Sequence, residues 1–189
     1  MKMVTKKGRL GRGFTLMELL VVISLIAILA GMVLASMPAI MNSVKRKEAS
    51  LTLKGLEAGL DDYKLDNSWY PINETDPEEG AFVLYKYLSG DFDEDGTLDP
   101  VGDERKVYVQ GIDWNTAKSA NQQRVGQLGN RYVLVDPFGS PIRYLCEPPG
   151  RKAKDRKTNN PTYDIWSLGG GESGSDDTED TAKWITNWN

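Results

Sequence analysis

From Leu19 to Val44 the chain runs 26 residues without a charge, rich in Leu, Ile, Val and Ala. As a helix this stretch extends ~39 Å at ~1.5 Å per residue, which exceeds the ~30 Å hydrocarbon core of a bilayer and is long enough to span it. Pro38 lies inside it. There it removes one hydrogen bond and crowds the preceding turn, which predicts a kink that a lipid-embedded or filament-packed helix tolerates. Beyond Lys45-Arg46-Lys47, the residues Leu53, Leu56, Leu60 and Tyr63 recur at steps of three, four and three, a single apolar stripe on a helix. Lys54, Glu57, Asp61, Asp62 and Lys64 occupy the other face. Asn67-Ser68 ends the run, and Pro71 bars continuation. The pattern therefore predicts one N-terminal helix of roughly 50 residues, half in lipid and half docked on a globular head.

Residues 72–130 are polar and turn-rich except for 82–88, which reads as a short helix. Three β-rich runs follow at 131–135, 142–146 and 163–168, with Asp136-Pro137-Phe138-Gly139-Ser140-Pro141 as turn material between the first two. They predict a small antiparallel sheet, so the fold class is α+β. Arg151, Lys152, Lys154, Arg156 and Lys157 make a basic loop at 150–160, expected to be a mobile, solvated connection.

Charge sharpens this division. Residues 1–50 hold eight Lys/Arg and two Glu; of the totals of 23 and 27 this leaves 15 basic and 25 acidic residues in 51–189, a net of −10. Nucleic-acid phosphates need clustered cations, so no nucleic-acid partner is expected. The chain has no His and one Cys, Cys146. That excludes a Ser-His-Asp triad, a Cys-His pair, a His-based zinc site and an internal disulfide. Cys146, in an apolar-aromatic run, is expected to be a packed side chain.

Between Asp91 and Asp99, acidic side chains stand at loop positions 1, 3, 5 and 9 (Asp91, Asp93, Asp95, Asp99), with Thr97 at 7 and Gly96 at 6. This is the front of an EF-hand-like calcium loop, in which alternate oxygens converge on one hard cation. Position 12 is Gly102 rather than Glu, with Asp103 one place late. An acidic turn without metal is the plainer reading.

The N-terminus carries the sharpest signal. Residues 1–13 contain Lys2, Lys6, Lys7, Arg9 and Arg12 and no acid, against three cations at 45–47. The positive-inside bias places the N-terminus in the cytoplasm and the head outside. A secretory signal has an apolar region of 7–15 residues, shorter than this one. Glu18 fits neither a signal nor a plain anchor, since a carboxylate in a spanning helix is costly without a partner. Gly13-Phe14-Thr15-Leu16-Met17-Glu18-Leu19-Leu20-Val21-Val22-Ile23 resembles the signal of type IV prepilins and type II secretion pseudopilins. The resemblance implies a type IV pilin-like fold, cleavage between Gly13 and Phe14 by a prepilin peptidase, and N-methylation of Phe14. It also implies that Glu18 meets the terminal amine of a neighbouring subunit during assembly.

The tract Gly59-Leu60-Asp61-Asp62-Tyr63-Lys64-Leu65-Asp66-Asn67-Ser68-Trp69-Tyr70-Pro71 is similar to the segment that closes the long helix of the major pseudopilins of type II secretion. So are 136–139 and 163–169. That resemblance implies calcium in the C-terminal loop, on the Leu168 carbonyl and acidic side chains, with Glu172, Asp176, Asp177 and Asp180 available. The acid expected three residues after Leu168 is Gly171 here. A flexible tail tethered by Trp184 and Trp188 is the alternative.

The organisation expected is a basic leader (1–13), a transmembrane assembly helix (14–44), its periplasmic half (45–68), a variable loop region (69–130), and a β-region with an acidic C-terminal loop (131–189). The resemblance implies a structural subunit rather than an enzyme. It would be held in the inner membrane, then stacked with itself and other pseudopilins, through an assembly platform, into a periplasmic filament that exports proteins across the outer membrane. A type IV pilus subunit acting in adhesion, motility or DNA uptake is the alternative within the family. A membrane-anchored calcium-binding module that never polymerises is the alternative outside it.

Overall fold

The computed structural model describes residues 14–74, 76–100, 106–119, 124–172 and 178–188. Helix α1 (Leu16–Asn67) has 52 residues and continues through Pro38. It runs through two compact units, 1–42 and 43–189. In the first, every described residue is exposed, as is each residue on to Val44. An apolar surface that large is foreign to a monomer in water and calls for lipid or other helices around it.

In the second unit α1 buries the expected stripe: Leu53, Leu56 and Leu60 are inside, with Tyr63 packed against the same core. The helix stops where a left-handed residue follows it, Ser68 at φ 67°, whose amide still donates to the Lys64 carbonyl at 2.8 Å. Helix α2 (Gly80–Leu88) adds Leu84, Tyr85 and Leu88 to the core, and a short α3 (Trp114–Ser119) closes one side.

The strands divide differently from the single sheet expected. β1 (Val125–Leu128) and β2 (Arg131–Leu134) form a two-stranded antiparallel hairpin, while β3 (Arg143–Cys146), β4 (Tyr163–Ser167) and β5 (Ile185–Thr186) form a separate antiparallel sheet. The reason lies in the two residues between Leu128 and Arg131. Gly129, at φ 63°, and Asn130 make a tight hairpin turn that gives β2 a local partner. A bridge between Val135 and Pro141 and the bond from Ile142 N to Leu134 O join β2 to the start of β3.

Gly80 shows how tightly α2 rests on β3. A Cβ there would lie 2.3 Å from the Tyr144 carbonyl oxygen and 2.7 Å from its Cβ. Alanine is worth up to ~1 kcal/mol over glycine in a helix, but overpacking against backbone costs ~1–3 kcal/mol. Gly80→Ala is therefore expected to lower the urea midpoint, against its helix propensity.

The basic loop is not the loose connection expected. Glu147 is buried beneath it and accepts from the Arg151 guanidinium, from Lys157 N at 3.0 Å and from Thr158 Oγ1 at 3.4 Å. Arg151 also reaches Glu74 at 2.9 Å. At the loop's far end, Asp164 accepts from Asn159 N at 2.6 Å and Asn160 N at 2.9 Å. Two buried carboxylates thus fix a chain segment whose own side chains are mostly charged, because each must be saturated by donors once it leaves water.

Burial resists the ionisation of Glu147, yet the bonds from Arg151 and the Lys157 amide outweigh it and hold its carboxyl below the usual glutamate value. A value lowered by folding stabilises the fold above the ordinary pKa, and that contribution is lost as pH falls through the lowered one. Glu147→Gln is expected to flatten the acid limb of stability, measured as urea midpoints between roughly pH 7 and pH 3. Cys146 is buried, as expected, and burial pushes its thiol up to about 11, leaving it inert at neutral pH.

Candidate assembly site and metal loops

The first residues of α1 form a reciprocal cap. Thr15 precedes the helix. Its amide and its hydroxyl each donate to Glu18 Oε2 at 2.9 Å, and Glu18 N donates back to Thr15 Oγ1 at 3.2 Å. The spacing Thr-x-x-Glu is that of a capping box, which satisfies amide donors that a helix start otherwise leaves open. Glu18 therefore has a partner within its own chain, which the sequence reading did not supply. Phe14 is 79% exposed. Gly13 lies outside the described residues.

In the loop after α2, Asp91, Asp93 and Asp99 each bring one carboxylate oxygen within 4.8 Å of the others. Backbone amides hold them there. Asp91 takes bonds from Asp95 N at 3.0 Å and Gly96 N at 2.9 Å, and Asp99 takes one from Phe92 N at 2.7 Å. Gly96, at φ 91°, makes the sharp turn that folds position 6 back over position 1. Its missing side chain also leaves room for Tyr132, whose hydroxyl would lie 2.8 Å from a Cβ. Burial raises the Asp91 carboxyl above the usual aspartate range, against the bonds from Tyr85 and the loop amides. Asp95 is not brought in: one of its oxygens is bonded to the amide and hydroxyl of Thr97. Gly102 and Asp103 lie outside the described residues.

In the C-terminal loop Gly169 and Gly170 adopt φ 60° and 89° and reverse the chain after β4. Gly171 N then donates to the Leu168 carbonyl at 2.9 Å. A Cβ on residue 171 would lie 3.1 Å from Leu168 O, 3.1 Å from Asp180 O and 3.5 Å from Asp180 Cβ. A side chain at this position would press on both Leu168 and Asp180. Asp180 Oδ1 pairs with Lys183 at 2.7 Å, and Glu172 is exposed. Asp176 and Asp177 lie outside the described residues. Oxygen-only donors brought to one place, as Asp91, Asp93 and Asp99 are, suit a hard cation.

The tail is more than a tether. Trp184 and Trp188 flank β5 and meet Trp166 at ring-centroid distances of 6.0 and 5.2 Å. Asn187 Oδ1 accepts from Ile165 N at 3.0 Å. The sequence reading also missed Arg46, whose guanidinium Nη1 donates to Lys183 O at 2.6 Å and Gly169 O at 3.4 Å. Adjacent to an uncharged run, it reads as one of three membrane-flanking cations, and no local signal marks its task.

The prokaryotic N-terminal methylation motif matches residues 9–34. The chain is 32% identical over 174 residues to the type II secretion system core protein G of Pseudomonas aeruginosa, covering 91% of this chain and 94% of that one. It is 41% identical over 178 residues to the type II secretion system core protein G of Dickeya chrysanthemi, covering 94% and 86%. The protein of the same name from Vibrio cholerae is 29% identical over 184 residues, covering 97% and 96%. No solved structure matches the chain.

Proposed function

The chain belongs to the type II secretion system core protein G family and is a structural pseudopilin, and from that premise we propose how its parts serve assembly. Prepilin peptidase cuts after Gly13 and methylates the new N-terminus at Phe14. The subunit waits in the inner membrane with its N-terminus cytoplasmic and its head in the periplasm, as the five leader cations against three flanking ones favour. Its role is structural, without chemistry of its own. It stacks with itself and with other pseudopilins, through the inner-membrane assembly platform, into a filament that drives export across the outer membrane.

The observation that carries this reading is the position of Glu18, the fifth residue after the cut, at the head of the exposed apolar run that α1 carries up to Val44. In the single subunit Thr15 satisfies it. In the filament the Phe14 amine of a neighbour takes over. A charge pair in apolar surroundings is favourable only with both partners in place, so subunits one step out of register gain nothing. Mass spectrometry of the intact protein from host membranes tests the processing. The expected chain begins at Phe14 and carries one methyl; a terminus before Phe14 would refute it.

Calcium is the second part of the proposal. In the C-terminal loop the Leu168 carbonyl and Asp180 would hold it, with Glu172, Asp176 and Asp177 as further donors. In the second loop Asp91, Asp93 and Asp99 would do so, with Thr97 and Asp95 beside them. The ion would supply the positive charge that lets these oxygens share one site. Calcium at a hundredfold its Kd should stabilise the head by about 2.7 kcal/mol, read as a melting-temperature rise that chelator reverses. Asp180→Asn and the pair Asp91→Asn/Asp99→Asn divide the effect between loops; a calcium-insensitive wild type would dismiss both.

A further inference from the structure

The two ends of the C-terminal loop, at Gly169 and Lys183, meet at one point on α1. Arg46 Nη1 donates to both backbone carbonyls. Gly169 is where the crowding is greatest: a Cβ there would lie 2.0 Å from Lys183 O and 2.9 Å from Arg46 Nη1. At φ 60° the position also disfavours any side chain. Next along the helix, Lys45 Nζ sits 5.5 Å from the centre of the Phe138 ring, and Phe138 in turn lies 3.1 Å from where a Cβ on Gly170 would be. Two consecutive cations of α1 therefore face the same reversal of chain, one by charge-assisted hydrogen bonds and one across a ring.

We propose that Arg46 is a positioning residue that clamps both ends of the 169–183 loop to the base of the periplasmic half of α1, so that order in the loop and order in the helix are coupled. A charged donor shared by two carbonyls holds the residues that bear them, Gly169 and Lys183, together. It also places the clamp at the first turn of α1 past the uncharged run. By linkage, whatever orders the loop protects that turn of the helix, and the reverse. The extension to calcium rests on the metal reading given above.

Hydrogen exchange on the full processed chain in detergent tests the clamp. In Arg46→Met, which keeps the stem but no donor, the amides of Gly171, Lys183 and Trp184 should exchange at least roughly tenfold faster, while those of β3 and α2 keep their protection. Arg46→Lys, with charge restored, should recover part of the loss, and Lys47→Gln should change nothing. Unchanged loop exchange in Arg46→Met overturns the proposal. So does a rise throughout the head in both Arg46 variants, because Arg46 would then support the whole core rather than the loop. In the wild type, calcium should slow exchange in the loop and also at residues 46–50. Slowing in the loop alone would overturn the coupling. Absence of any calcium effect removes the metal reading and leaves the clamp to be judged by Arg46→Met.

Discussion

Glu18→Gln should keep the start of the helix and lose the filament. The glutamine oxygen still accepts from the Thr15 amide and hydroxyl, which bond Glu18 at 2.9 Å, so the cap survives. What disappears is the negative charge that the amine of a neighbouring Phe14 would meet. Breaking one partner of a desolvated ion pair costs about 3–5 kcal/mol, roughly two to three and a half decades in the subunit equilibrium, repeated at every addition. Thr15→Ala is the counterpart. It removes the cap, at a cost of about 0.5–2 kcal/mol to the helix start, and leaves the charge. Crosslinked membranes should yield a ladder of oligomers from wild type, a weakened ladder from Thr15→Ala, and monomer from Glu18→Gln. A wild-type ladder from Glu18→Gln would show that the charge is not the contact.

Leu60→Ala should destabilise the head by about 2–5 kcal/mol, lowering the urea midpoint at constant slope. Leu60 is 0% exposed and sits among Leu84, Tyr144 and Ile165 in the core. The neighbouring Gly59 brings α1 so close that a Cβ would lie 2.3 Å from Val109 Cγ2, so the helix has little freedom to settle into the space left behind. Leu65, five residues on and 82% exposed, is the control. Leu65→Ala should change stability by no more than about 0.5 kcal/mol. Equal effects at the two positions would mean that the C-terminal half of α1 is not docked through the 53–56–60 face.

These two residues also mark how far the sequence could be read. The apolar stripe and the helix end at Asn67 were legible because each is local: a period of 3.6, then a left-handed residue and a proline. Helix α2 and strands β2, β3 and β4 were legible for the same reason. The division into two sheets was not, though Gly129-Asn130 between two short runs was a hairpin signal that went unread. β5 was hidden within a tryptophan-flanked tail, because a two-residue strand has no period. The hold of Glu147 and Asp164 on the basic loop depends on which acids are buried, and composition shows only that the loop is charged.

The candidate sites divide along the same line. Asp91, Asp93 and Asp99 converge as their spacing implied, since loop positions 1, 3 and 9 are brought together by the loop's own amides. Asp95 does not, because Thr97 competes for its carboxylate. Glu18 was visible as a misplaced charge, whereas its bond with Thr15 needed the geometry of the cap. Arg46 acts across 123 and 137 residues of chain, a distance over which one sequence carries no signal.

The most direct test of the central claim is complementation of a gene deletion in the host, assaying secreted enzymes in the medium beside surface pili and DNA uptake. Deletion should trap the enzymes in the periplasm with pili and uptake intact, and the wild-type gene, but not Glu18→Gln, should restore export. Normal export in the deletion strain, with loss of pili or DNA uptake instead, would contradict a secretion pseudopilin.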